Sequence, residues 1–190
     1  MPIFLDDVDY RQFIHLLGLI TLEAEIRCWN YCVMPNHYHA TLQPTRPNLS
    51  VAVRRLNGVY ATWWNKRHDR VGHVFQGRFK DQIVDHESYA LTLCRYVVLN
   101  PVRGGLVKGP GDWPWSSYDA TVGRCARPAF LSDSALGLFG DGDTGTLQQR
   151  FAKFVAGSEE DRAAIDRIRS PDRILGDREF RDRVMSSSKP

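Results

Sequence analysis

Glu25-Ile-Arg-Cys-Trp-Asn-Tyr-Cys-Val-Met34, the break Pro35-Asn36, and then His37-Tyr-His-Ala-Thr-Leu-Gln43 form the stretch on which the fold turns. Its first arm is rich in aromatic and branched side chains that alternate with polar ones, the pattern of a strand. Pro35-Asn36 interrupts it, and the second arm reads as a further strand closed by Pro44. Side chains two apart on a strand leave the same face. His37 and His39 therefore converge on one spot while Tyr38 turns to the other side. Two imidazoles so placed can chelate a divalent metal, although a histidine pair on a strand is by itself also compatible with a structural role.

On the N-terminal side, Tyr10, Phe13, Ile14, Leu17 and Ile20 recur at three- and four-residue spacing behind Asp6 and Asp7, which predicts a capped amphipathic helix from Asp6 to about Ala24. On the C-terminal side, Asn48 is a candidate N-cap for a helix from Leu49 to about Lys66, with Val53, Leu56, Tyr60, Trp63 and Trp64 on or near its apolar side. Residues 74–84 read as an extended segment with an internal glycine that suggests a bulge. Asp85 or Ser88 then caps a helix through Tyr89, Leu93, Tyr96 and Val97 that is expected to end near Asn100, because Pro101 follows. Residues 103–128, rich in Gly, Pro and Trp, read as an ordered loop laid over the domain, and 133–185 as a helical tail interrupted by glycines.

The chain has 190 residues and a net charge of +3, but residues 51–110 alone carry ten Lys/Arg against four acids, a local charge of +6. A positive field concentrated in that way points to an anionic partner, with nucleic acid foremost. No apolar run approaches membrane-spanning length, and the start lacks the basic and apolar regions of a secretory signal. A cytoplasmic protein without a membrane partner is expected. The four cysteines, Cys28, Cys32, Cys94 and Cys125, are too few and scattered for a disulfide scaffold and read as reduced thiols.

Tyr96 and Asn100 lie four apart and so share a helix face. The Asn100 amide oxygen is a hard, neutral ligand suited to Mg2+ or Mn2+, and a tyrosine one turn away could attack an electrophile held by the same ion. The plain alternative for Tyr96 is an aromatic packed in the core. Gln76, Arg78 and Lys80 alternate along the expected extended segment and could line a face toward phosphates, with Arg54, Arg55 and Arg103 as further candidates. Exposed members among Trp63, Trp64, Trp113 and Trp115 could stack unpaired bases; core packing is the competing reading for Trp63 or Trp64. A zinc site built from Cys28, Cys32, His37 and His39 is a separate possibility, since the two cysteines would share a strand face.

Four ordered strings, Tyr31-Cys-Val-Met-Pro-Asn-His-Tyr-His39, Gly72-His-Val-Phe-Gln-Gly-Arg-Phe-Lys80, Cys94-Arg-Tyr-Val-Val-Leu-Asn-Pro-Val-Arg103 and Trp113-Pro-Trp-Ser-Ser-Tyr118, resemble the successive signatures of the REP-associated tyrosine transposases, a single-tyrosine (IS200-like) branch of the HUH nucleases. The resemblance runs from about Asp6 to Tyr118, and Ile174 to Phe180 is similar to a tail segment of many members. It implies an α+β, ferredoxin-like fold: an antiparallel sheet bearing the histidine pair, helices packed on it, and a helical C-terminal tail. The corresponding division is a transposase domain over 1–130 and an extension over 131–190. His37 and His39 match the HUH pair, Tyr96 the nucleophile, and Asn100 the side chain that completes a Mg2+ or Mn2+ site. Tyr89 is the rival nucleophile, but it lacks the Asn-Pro context.

The implied chemistry is metal-dependent nicking of single-stranded DNA, typically hairpin-containing, through a 5′-phosphotyrosine link that another 3′-OH can reseal, which is strand transfer and DNA transposition. Members usually begin with a strand and an Arg-Gly turn upstream of the Ile3-Phe-Leu-Asp-Asp7 segment. The expectation here is a sheet whose first strand, normally beside the histidine strand, is missing, which leaves unpaired backbone groups in or near the core. A catalytically decayed, nucleic-acid-binding relic is the alternative function. Monomer and homodimer both stay open.

Overall fold

The computed structural model describes residues 2–77, 79–85, 89–157, 166, 168 and 173–187. Helix α1 spans Asp7–Glu23, and Asp6, in extended conformation, accepts hydrogen bonds from the backbone N–H groups of Val8 and Asp9. This is the N-cap that the acidic start predicts. The apolar stripe is buried at Tyr10, Phe13, Leu17 and Ile20, with Leu16 added to it.

Strand β1 (Ile26–Met34) and strand β2 (His37–Pro44) follow as an antiparallel hairpin in which Met34 faces His37, Cys32 faces His39 and Asn30 faces Thr41. Between Cys28 and Asn30 the register slips, so that Trp29 is an extra residue on β1. A bulge of this kind exchanges the two faces of a strand. On one side of it Ile26 and Cys28 enter the main core, and on the other side Tyr31 and Val33 do. Cys32 and Met34 are left on the opposite face, packed against Val97. Cys28 and Cys32 therefore do not share a face, and the zinc reading fails on that geometry. Burial pushes both thiols up to about 12, so neither is a ready thiolate.

Helix α2 (Leu49–Arg67) lies with α1 over the first face. The Tyr38 hydroxyl donates to Asn57 Oδ1 at 3.0 Å, and Phe13, Tyr38, Tyr60 and Phe75 form an aromatic cluster around that point. Asn48 occupies the N-cap position, but its side chain makes no capping bond. Its amide instead donates to the carbonyl of Ala24, tying the start of α2 to the end of α1. At the other end of the pair, Asp9 is fully buried and accepts from the Leu5 N–H, from Arg67 at 2.6 Å and from His68 at 2.9 Å.

The extended segment expected over 74–84 is confined to strand β3 (Ile83–Val84), which pairs in parallel with β4 (Ile174–Leu175). Val74 is buried and Phe75 turns onto Tyr38 and Tyr60, so residues 74–77 bend into the aromatic cluster instead of extending. The second face of the hairpin carries helix α3 (Ala90–Arg103). Tyr89 holds the N-cap position without a side-chain cap, and Asp85 is engaged through its backbone with Leu175 and Tyr89; Ser88 lies outside the described residues.

Pro101 does not end α3, which runs one turn further to Arg103. Proline removes one backbone donor from the ladder, and the Asn100 side-chain amide donates to the carbonyls of Tyr96 at 2.9 Å and Val97 at 3.4 Å in that vicinity. The helix then closes with Gly105 N–H on the Val102 carbonyl and Leu106 N–H on the Pro101 carbonyl. That is a Schellman motif, and its left-handed position is taken by Gly105 at φ +68°.

The edge of β1 away from β2 is not bare. Val33 N–H donates to Trp115 O, Ser117 N–H to Tyr31 O, Ser117 Oγ accepts from Tyr31 N–H, and Trp113 Nε1 donates to Val33 O. Further along, Ser132 N–H donates to Cys28 O. The loop over 113–117 and the segment at 131–132 thus pair with the outer edge of β1, which satisfies the requirement that its buried backbone groups be bonded. Helices α4 (Tyr118–Thr121), α5 (Ser134–Gly137) and α6 (Thr144–Ala156) pack around Trp29 and α3 in a second core, and α7 (Arg178–Ser187) follows β4. Arg95 of α3 reaches the Gly157 carbonyl at the end of α6 and lies over the Phe154 ring. Among the described residues no helix is long and apolar enough to cross a membrane.

Replacing Asp9 by Ala takes the acceptor from the Leu5 N–H and from His68 in the seam between α1 and α2, and leaves Arg67 with the Asp6 carboxylate. Urea denaturation should register a loss of about 1–3 kcal/mol, whereas a loss under about 0.5 kcal/mol would show that the seam does not depend on this carboxylate.

Candidate active site

Strand β2 delivers His37 and His39 to the face covered by α3, as its two-residue period requires. Their Nε2 atoms lie 3.1 Å apart and the rings meet edge to face at 86°. His37 Nδ1 is 2.7 Å from Asn36 Oδ1, an acceptor, so Nδ1 carries the proton and Nε2 keeps its lone pair. Burial lowers the His39 pKa to about 4, with a smaller contribution from His37, and partial burial of its ring also lowers that of His37. Both imidazoles are neutral at pH 7, the form that binds metal.

Helix α3 brings Tyr96 to this pair from 57 positions along the chain, its ring lying edge to face with His39 at a centroid distance of 5.9 Å and an angle of 84°. Leu93 and Val97, together with Cys32, Met34 and Trp113, pack around Tyr96 as the apolar floor. The helix is seated by Asn30, which is buried in β1 and donates through Nδ2 to the Cys94 carbonyl at 2.9 Å. Tyr89 lies two turns before Tyr96, in the cluster with Leu175 and Ile168, and no ring contact joins it to the histidines among the described residues.

The donor set fits a divalent ion. Two nitrogens at right angles around one ion, each about 2.1 Å from it, would be about 3.0 Å apart, close to the 3.1 Å separating the two Nε2 atoms. Asn100, four residues after Tyr96, turns its Nδ2 to helix carbonyls, so its oxygen is the atom that the helix leaves unused. Among the described residues no group of three or more His, Cys, Asp and Glu side chains assembles into a metal cage. Among those residue types the histidine pair therefore stands as two donors, and the rest of an ion's shell would come from other groups.

The remaining sequence candidates divide. Arg54 and Arg55 are exposed on α2, across the sheet from the histidines, and Arg55 pairs with Glu23. Gln76 and Lys80 are exposed, but the bends over 74–77 do not give the alternating face expected for them; Arg78 lies outside the described residues. Trp64 is a core residue, while Trp63, Trp113 and Trp115 are half-buried, Trp115 stacking on Tyr10 at 4.7 Å.

Arg103 folds back along α3, its guanidinium 5.0 Å from the Tyr96 ring centre and its Nη1 donating to the Tyr96 carbonyl at 3.0 Å. Sequence reasoning placed Arg103 in a loop because Pro101 was expected to stop the helix. The seven-residue spacing from Tyr96, two turns on one face, was the signal available. Asn36 was missed as the residue that orients His37, although its place immediately before the histidine was visible.

The IS200-like transposase family profile matches residues 2–100, just over half of the chain. A putative REP-associated tyrosine transposase of Haemophilus influenzae (strain ATCC 51907 / DSM 11121 / KW20 / Rd) is 24% identical over an alignment of 102 residues that covers 48% of this chain and 58% of that protein. The match thus spans well under two thirds of that relative's length. The structure of a REP-associated tyrosine transposase bound to a REP hairpin is similar with a TM-score of 0.51 and 20% identity, over 73% of this chain and 80% of that one. At that identity the likeness establishes a common α+β fold.

His39→Ala should weaken Mn2+ binding by more than about tenfold, since loss of a ligand exceeds the effect of an outer-shell change, while Cys32→Ala leaves it unaltered. Titration followed by the loss of the free Mn2+ paramagnetic resonance signal reads both, and equal affinity in His39→Ala and the parent chain would exclude the pair as the metal site.

Proposed function

Because this chain belongs to the IS200-like transposase family, we propose that it nicks and rejoins single-stranded DNA through a covalent bond to Tyr96, using a Mg2+ or Mn2+ ion held by His37, His39 and Asn100. The observation that supports this reading best is the approach of Tyr96 to His39, 5.9 Å between ring centres, from a helix and a strand far apart in sequence. A core tyrosine has no need of a paired, neutral imidazole site beside it.

When bound, the ion withdraws charge from a non-bridging oxygen of the scissile phosphate and so makes phosphorus a better electrophile. The Tyr96 oxygen attacks in line. A bond forms between that oxygen and phosphorus, the bond from phosphorus to the 3′ oxygen breaks, the phenol proton passes to solvent and the departing oxygen gains a proton as a free 3′-OH. The strand left on the protein is a 5′-phosphotyrosine. Its energy is close to that of the original diester, so a different 3′-OH can displace Tyr96 and complete strand transfer without a nucleotide cofactor.

A hairpin-containing strand is the proposed substrate, by analogy with the REP hairpin held by the structural neighbour. Residues 1–130 form the transposase domain in this reading, and 131–190 an extension whose α5 and α6 buttress α3 from behind. Gln76 and Lys80, exposed in the segment that leads from Phe75 to β3, are proposed to meet the backbone of the bound strand, with Arg78 as a further sequence candidate. The proposed setting is the cytoplasm.

Incubation with hairpin-containing single strands labelled at either end should give a covalent adduct only when Mg2+ or Mn2+ is present, retaining the 3′-labelled fragment and releasing the 5′-labelled one. Tyr96→Phe should form none, and DNA bound with normal affinity but never cleaved would favour the decayed relic.

A further inference from the structure

Continuation of α3 past Pro101 places Arg103 on the same face as Tyr96 and Asn100, at seven and three residues' distance. From there the guanidinium makes two contacts with Tyr96: a hydrogen bond to its carbonyl and a position over its ring, 5.0 Å from the ring centre. An arginine in the last turn of a helix ordinarily faces the terminal carbonyls and the negative end of the helix dipole. Arg103 instead reaches back two turns, beyond the carbonyls that lack partners, so dipole compensation does not account for its course. It is also half-buried, unlike Arg54 and Arg55, which are exposed on the far side of the sheet.

The Tyr96 ring is therefore bounded on one side by the His39 edge and on another by the Arg103 guanidinium. We propose that Arg103 is a positioning residue for the nucleophile: it holds the Tyr96 ring at the histidine pair and keeps a fixed positive charge beside the phenol as negative charge gathers at the attacked phosphate. The proposal rests on the reading of Tyr96 as the nucleophile. The guanidinium suits both contacts, since its several N–H groups can bond a carbonyl while its weakly hydrated, delocalised charge faces a ring; a lysine ammonium, compact and strongly hydrated, is a poorer substitute. The Schellman closure at Gly104-Gly105-Leu106 supports the same arrangement, because it stabilises the final turn from which Arg103 starts.

A contact made only to bind DNA predicts something different. It would lower affinity and reduce the salt dependence by about one phosphate contact, leaving the saturated rate intact. The two roles separate in single-turnover adduct formation at saturating hairpin DNA, measured beside the DNA dissociation constant. Arg103→Gln should slow adduct formation by about 100-fold, the scale of a misplaced reacting group, with affinity within about twofold of the parent. Arg103→Lys should fall between them, and added guanidinium ion should restore part of the rate in Arg103→Gln but none in Tyr96→Phe. A normal saturated rate with weakened DNA binding would overturn the proposal.

A second measurement does not depend on activity. In protein labelled with 3-fluorotyrosine, the Tyr96 fluorine resonance, assigned by its disappearance in Tyr96→Phe, should shift and broaden in Arg103→Gln while the other six tyrosine signals hold their positions. If the parent chain forms no adduct at all, the transposase reading fails on its own, and this resonance still decides whether Arg103 holds the ring. An unmoved Tyr96 signal would show that it does not. Should Arg103→Gln disturb every tyrosine signal, Arg103→Lys provides the same comparison.

Discussion

A buried hydrogen bond from Asn30 in the first strand to the Cys94 carbonyl in α3 is the joint on which the site depends. One end belongs to the hairpin that carries the histidines, and the other lies two residues before Tyr96. A buried amide gains little net stability from such a bond but loses much if it is left unmade, so the bond fixes how the helix sits more than how firmly the chain folds. Trp29 gives the joint its orientation. As the extra residue in β1, it exchanges the faces of the strand and sends Asn30, Cys32 and Met34 toward α3 while Tyr31 and Val33 stay with α1 and α2.

Strand β1 could not play this part if its outer edge were open. Both of its faces are covered, and backbone groups deprived of water and partners would oppose folding. The loop over 113–117 and the segment at 131–132 supply those partners, partly through backbone groups and partly through Ser117 Oγ and Trp113 Nε1. Trp113 serves twice, since its ring also helps to form the floor under Tyr96. Edge protection and site construction are thus the work of the same residues, and the Trp-Pro-Trp-Ser-Ser-Tyr string is explained by packing without any need for base stacking.

Local physics made the first half of the chain legible. Asp6 before an apolar stripe, the Pro35-Asn36 break and the alternation at His37 and His39 each depend on near neighbours, and α1, β1, β2 and α2 begin and end within one or two residues of expectation. The errors share a different cause. Pro101 is tolerated because Asn100 supplies side-chain donors to nearby carbonyls and because only the last turn lies beyond it. Residues 74–77 bend because Phe75 is drawn to Tyr38 and Tyr60. The bulge at Trp29 and the covering of β1 by residues eighty or more positions away have no local signature. His37, His39, Tyr96 and Asn100 could be named from residue type and spacing, whereas the place of Arg103 required knowing where the helix stops.

In the proposed reaction Tyr96, and no other tyrosine, becomes joined to DNA. Trypsin cuts after Arg95 and after Arg103, so Tyr96 falls in a peptide of its own, separate from Tyr89. Protein incubated with hairpin DNA and Mn2+, digested with nuclease and trypsin and analysed by mass spectrometry, should show a phosphonucleotide on the 96–103 peptide. A phosphonucleotide on the peptide containing Tyr89 instead would make Tyr89, not Tyr96, the nucleophile.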